Sequence, residues 1–194
     1  MALLVHPPKA QTANEFSLWG GGSFHSSTVI GTTEDAKLGV LGLRYARSLT
    51  ERNNFSLKYT VDAIPVMILN YPKTELAFSV TSSPALFLRV TQQTVYGAGL
   101  APIGLQLNLR PRKKIQPFIS TNGGFIYFSK SIPTTEGKQF NFTAELGGGM
   151  QIFTSANKAA TLGYKYHHLS NAYRGAVNPG FDSNVLYVGF SFFK

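Results

Sequence analysis

Apolar and polar side chains alternate with period two in segment after segment of this chain. Phe55, Leu57, Tyr59, Val61 and Ala63 alternate with Ser56, Lys58, Thr60 and Asp62; Phe140, Phe142, Ala144 and Leu146 alternate with Asn141, Thr143 and Glu145; Leu186, Val188, Phe190 and Phe192 alternate with Tyr187, Gly189 and Ser191. A strand projects successive side chains to opposite faces, so this pattern marks strands with one apolar face. It predicts eight strands, at about 14–23, 36–48, 54–70, 94–109, 115–129, 139–154, 160–170 and 183–193, and no helix competes with them. The connectors "LTERNN", "RPRKK" and "SANKA" are short and alternate with longer ones at 24–35, 71–93, 130–138 and 171–182. Short turns at one end, long loops at the other and an even strand number are the pattern of an eight-stranded antiparallel up-and-down transmembrane β-barrel, each strand long enough to cross a bilayer. Residues 14–194 are expected to form that single domain.

Alternation alone does not say which face is outside, because a soluble lipid-binding barrel has the same period with its apolar face turned inward. Composition decides. Charged residues make up 14 % of the 194 and aromatics 13 %, whereas a soluble domain carries about 25 % charged residues. Lys58, Asp62, Glu145, Lys165 and His167 are too few to coat a soluble barrel, so they are expected in the lumen and the apolar face toward lipid. No stretch reaches the roughly 18 apolar residues of a spanning helix. The chain has no cysteine, which excludes disulfides, thiol nucleophiles and thiolate metal sites. Residues 1–13 read as the remnant of a signal peptide or as a disordered tail: the apolar run Ala2–Val5 is short, but "AQTA" resembles a cleavage site.

The densest polar stretch is "YKYHHLSNAYRGAVNPGFDSN" at 164–184. If its strand keeps the common parity, Tyr164, Tyr166, His168 and Ser170 look outward and Lys165, His167 and Leu169 inward. Two positions along a strand are about 6.5–7 Å apart at the backbone, which lets an imidazole reach a serine hydroxyl. Asp182 shares the outward parity of the last strand and can lie beside His168. On the residues alone two readings stand, a catalytic constellation or a hydrated loop rim. His167 is expected to make hydrogen bonds in the barrel interior. The adjacent histidines point apart and cannot chelate one metal, and His6 and His25 lack ligand spacing. "GGG" at 20–22 and 147–149 lies within strands and lacks the remainder of a phosphate-binding loop. "RPRKK" at 110–114 reads as a solvated turn, not a nucleic-acid surface, since no aromatics interleave with its charge.

"HLSNA" at 168–172, followed by "NPGFD" at 178–182 and a closing aromatic strand, resembles the outer-membrane lipid A 3-O-deacylases, the PagL-type acyl hydrolases. The resemblance implies an eight-stranded barrel in the Gram-negative outer membrane whose outer wall carries Ser170 as nucleophile, His168 as base and Asp182 as acid, with Asn171 at the oxyanion site. It implies no metal or cofactor. The partners it implies are lipid A, or lipopolysaccharide, and the membrane; whether the barrel also forms a homodimer is left open. Two positions depart from the family pattern: the acid is aspartate where glutamate is usual, and Tyr173 stands where glycine is usual. Glu34, Asp35, Glu75 and Glu136 are further acids on the same rim. Rival readings are a non-catalytic barrel serving as anchor or adhesin and a soluble lipid-binding barrel.

Overall fold

The structure is a computed structural model and describes residues 14–79 and 85–194; the expectation for residues 1–13 lies outside the described residues. Eight long strands form the wall: β1 (Asn14–Ser23), β3 (Lys37–Glu51), β4 (Phe55–Ser79), β5 (Ala85–Leu109), β6 (Ile115–Ile132), β7 (Lys138–Ser155), β8 (Lys158–Ser170) and β9 (Phe181–Phe193). A two-residue strand β2 (Ser26–Ser27) adds to β9 beyond β1. Every pairing is antiparallel, the eight long strands pair in chain order, and β1 pairs with β9 to close the ring. Closure leaves no open edge along the ring, the condition for crossing a bilayer with sheet.

Parity falls as the alternation predicts. Leu18, Leu43, Ile119, Leu146, Leu162, Leu186 and Val188 are exposed on the outer wall, where lipid replaces water as their solvent. The inward set is polar at mid-barrel, and at the short-turn end Phe153, Ala159 and Phe193 form a small apolar cluster. Lys58 pairs with Glu15 at 2.7 Å, Arg44 with Asp62 at 2.7 Å, and Glu145 receives both Lys165 and His167 at 2.8 Å. Lys165 Nζ also lies 3.8 Å from the Trp19 ring centre, and that indole lies against Gly42, where a Cβ would meet it at 2.2 Å. The lumen is thus filled with paired charges and rings.

Toward the long-loop end the interior turns apolar. Leu69, Tyr71, Val95, Phe128, Leu169, Phe181 and Val185 form one buried cluster, with the Tyr71 and Phe181 rings 5.1 Å apart. Leu169 and Phe181 sit opposite each other across β8 and β9. Each contributes about 1.5–3 kcal/mol by burial, and together they pin the strand ends that turn residues 168, 170 and 182 outward.

One expected loop is mostly strand. Residues 71–93 read as a long connector, but β4 runs to Ser79 and β5 begins at Ala85, with Phe78 opposite Leu86 and Leu76 opposite Leu88. This hairpin arm extends past the last β3 partner of β4, Asn70, and past the last β6 partner of β5, Gly97. Pro72 is tolerated because β4 has one unpaired edge there, and an edge strand can accommodate a residue without an N–H.

Candidate active site

The site lies on the outer wall where β8 ends and β9 begins, at the long-loop end. His168 is directly opposite Asp182 in the β8–β9 register, and its Nδ1 lies 2.6 Å from Asp182 Oδ1. The other carboxylate oxygen is held from the far side: the backbone N–H groups of Val29, Ile30 and Gly31 donate to Asp182 Oδ2 at 2.8, 2.7 and 2.9 Å. Successive amides converging on one anion form a concave anion-binding nest. Asp182 is fully buried while the His168 side chain keeps 15 % of its surface accessible. The carboxylate is therefore sealed and the imidazole reachable.

The segment that supplies these amides is docked by its own backbone. Thr32 N–H donates to Pro179 O at 2.7 Å and Thr33 N–H to Gly180 O at 3.3 Å. The approach is so close that a Cβ on Gly31 would lie 2.8 Å from the Gly180 carbonyl carbon, and Gly180 itself has φ +69°. Both glycines are required, one by contact and one by its left-handed backbone. Val29 and Ile30 remain exposed beside the buried acid.

Ser170 occupies the next outward position after His168, opposite Phe142 on β7, as His168 is opposite Ala144. The hydrogen bond at the ring is the one to Asp182, and Ser170 Oγ makes none to Nε2 in this arrangement. Asn171, expected beside the oxyanion, ties the following loop instead. It is buried; its backbone N–H donates to Asn178 Oδ1 at 2.9 Å, its Nδ2 to Val177 O at 2.7 Å, and its Oδ1 accepts from Gly175 N–H at 3.5 Å. The turn it closes has Ala172 at φ +51° and Tyr173 at +59°. The position where the resemblance calls for glycine does adopt a glycine-like backbone, but a tyrosine occupies it. Among the further rim acids, Glu75 pairs with Lys73 at 2.6 Å, and Asp182 is the acid bonded to His168. His167 points into the lumen onto Glu145 as expected.

The three amides of residues 29–31 were not foreseeable, because a backbone donor carries no side-chain signature; Gly31 is the single residue in "VIGTT" whose identity the geometry requires.

Among solved structures, the crystal structure of the outer membrane enzyme PagL superposes with a TM-score of 0.58 at 19 % identity, covering 91 % of this chain and 98 % of that one. Neisserial surface protein A matches at 0.55 and 10 % identity, covering 95 % and 99 %, and the outer membrane protein OprG from Pseudomonas aeruginosa at 0.53 and 9 %, covering 98 % and 99 %. At these identities the likenesses speak for the fold. No curated protein sequence matches. The family model described as lipid A 3-O-deacylase (PagL) matches residues 69–191, more than half of the chain and the whole of the β8–β9 site, and this outer-membrane barrel therefore belongs to the lipid A 3-O-deacylase (PagL) family.

Proposed function

We propose that the chain is a serine esterase that removes the ester-linked 3-O acyl chain of lipid A within the outer leaflet, with Ser170 as nucleophile, His168 as general base and Asp182 as the acid that orients the ring. The observation that carries this reading is the 2.6 Å contact between His168 Nδ1 and a carboxylate whose second oxygen is held by three amides. A ring whose Nδ1–H donates to a fixed carboxylate keeps Nε2 free to accept a proton. Ser170 stands one outward position away, and a nucleophile–base hydrogen bond is often long before substrate arrives and tightens in the complex.

In this reading Ser170 Oγ attacks the ester carbonyl carbon as its proton passes to His168 Nε2. The tetrahedral intermediate collapses, His168 returns the proton to the departing sugar oxygen, and the acyl group stays on Ser170. Water, deprotonated by His168, then releases the fatty acid. The backbone N–H groups of Ala172 and Tyr173 are the oxyanion donors, each worth roughly 10² to 10³ in rate; the Asn171 N–H is taken by Asn178 Oδ1, and Asn171 acts through the turn it ties. Val29 and Ile30 on one side and Phe142 on the other give the acyl chain apolar neighbours while it remains in the leaflet.

The test is mass spectrometry of lipid A exposed to wild-type protein, Ser170→Ala and His168→Ala, with heat-modifiable gel mobility confirming a folded barrel. Loss of the acyl chain with wild type alone is expected, together with fluorophosphonate labelling of Ser170. Undiminished deacylation by either folded variant would overturn the assignment.

A further inference from the structure

Above Ser170 the outer wall changes character over two steps of the β7 strand. At the level of Ser170 stands Phe142, with Phe125 opposite it on β6; one outward position higher come Phe140 and, opposite it, Tyr127. Phe140 stacks on Phe125 at 5.4 Å and meets Phe142 edge-on at 5.2 Å. Over this aromatic surface lies Arg174, its guanidinium carbon 5.5 Å from the Phe140 ring centre and 6.0 Å from that of Phe142. Lys138 follows on the same face of β7, and Tyr127, Lys138, Gln139, Phe140 and Arg174 line a cleft of about 350 Å³.

The cation is placed, not merely tethered. The 171–178 loop is tied by Asn171 and abuts the β6–β7 turn so closely that a Cβ on Gly175 would lie 2.9 Å from Glu136 O. In the same cleft Tyr127 Oη donates to Gln139 Oε1 at 2.8 Å. Neither Arg174 nor Lys138 forms an ion pair among the described residues, and the exposed Glu136 on the adjoining turn pairs with neither. Two uncompensated cations above an aromatic surface present opposite chemistries to one ligand: an anion above, hydrocarbon below.

We propose that this cleft is the subsite for a phosphate on the glycolipid headgroup, held by Arg174 and Lys138 one to two strand steps, roughly 7–14 Å, above Ser170, so that the phosphate sets the register in which the ester meets the serine. Arginine suits the place, since its planar fork engages phosphate bidentately while its face rests on the rings. The inference rests on the deacylase reading for its substrate, but not for its test.

Binding of lipid A and of enzymatically dephosphorylated lipid A is measured in detergent micelles with the Ser170→Ala protein, which removes turnover from the comparison. The expected result is a preference of about tenfold or more for the phosphorylated lipid, the scale of one or two charge-assisted hydrogen bonds. In the Arg174→Ala/Lys138→Ala variant on that background the two lipids should bind alike, whereas Arg174→Lys should keep part of the preference. Neither inorganic phosphate nor phosphatidylglycerol should displace lipid A. Equal binding of the two lipids by the parent, a preference unchanged in the double variant, or displacement by phosphatidylglycerol would overturn the proposal. Absence of fatty-acid release by the wild-type protein from either lipid would instead refute the deacylase reading, with the binding comparison still deciding the subsite.

Discussion

Replacing Asp182 by asparagine separates charge from shape at the candidate site. The side chain has two possible orientations. If the new NH₂ faces residues 29–31, it confronts three N–H donors at the positions now 2.7–2.9 Å from oxygen, and three hydrogen bonds to a charged group, about 1.5–3 kcal/mol each, are lost. If it faces His168, one bond is lost. The second orientation therefore wins by several kcal/mol. It places a donor 2.6 Å from His168 Nδ1, which then must accept, so the ring proton moves to Nε2, and in the proposed mechanism His168 can no longer take the Ser170 proton. A wrong tautomer of this kind lowers kcat by about 10⁴ in a Ser-His-Asp triad with intact geometry. The assay is fatty-acid release from lipid A in mixed micelles, with heat-modifiable mobility as the control for folding. A folded Asp182→Asn variant within tenfold of wild type would refute the tautomer argument.

Gly31→Val forces a Cβ to within 2.8 Å of the Gly180 carbonyl carbon; overpacking of this kind costs about 1–3 kcal/mol, and it should lower kcat in the same release assay while the barrel still migrates as folded. Tyr173→Gly relieves a left-handed residue at φ +59°, worth about 1–2 kcal/mol less the entropy cost of glycine, so urea unfolding should show a slightly more stable barrel, and a destabilised one would contradict the strain. Lys165→Met leaves Glu145 in the lumen with His167 and the Asn122 amide as its side-chain partners; breaking a buried pair costs about 3–5 kcal/mol, and a change under 1 kcal/mol in the same titration would contradict the pairing of charges in the interior. Leu146→Arg, exposed at the middle of β7, should cost about 2–4 kcal/mol in a bilayer, whereas Leu88→Arg on the hairpin arm should cost about 0–1; equal costs would mean that the arm also lies in lipid.

Much of the wall was legible because membrane barrels repeat one rule at every strand. The parity that turns Leu186 and Val188 outward also turns Asp182 outward, and the parity of Tyr164 does the same for His168 and Ser170, so the candidate residues could be put on one surface before any coordinates. What parity cannot give is the partner across the loop. The 28–36 segment shows no periodicity and acts through amides, and its role appears only when Thr32 and Thr33 are seen bonded to Pro179 and Gly180. Asn171 illustrates a different limit. Its type suits both an oxyanion donor and a turn tie, and the choice depends on where Val177 and Asn178 lie, seven or fewer residues away in a loop that a strand pattern does not describe. The hairpin arm was missed because Pro72, Lys73, Glu75 and Arg89 interrupt the alternation; it is strand by its register, not by its composition.

An acid on the outer wall of a barrel faces a problem that an acid in a water-filled cleft does not. A carboxylate left against hydrocarbon is costly and takes up a proton instead, and a protonated carboxyl could not stabilise an imidazolium. Sealing Asp182 with three amides resolves this without water, since N–H dipoles fixed by a docked loop replace the hydration shell. It also accounts for the aspartate. The β8–β9 register already sets residue 182 directly opposite His168, so a long side chain is not needed to reach the ring, and the β2–β3 segment comes in to meet the second oxygen where it stands. The length of the acid and the approach of the loop are therefore one geometric choice: a carboxylate one methylene longer would have to leave either the imidazole or the amides, and the close contact of Gly31 with Gly180 leaves the loop no room to retreat.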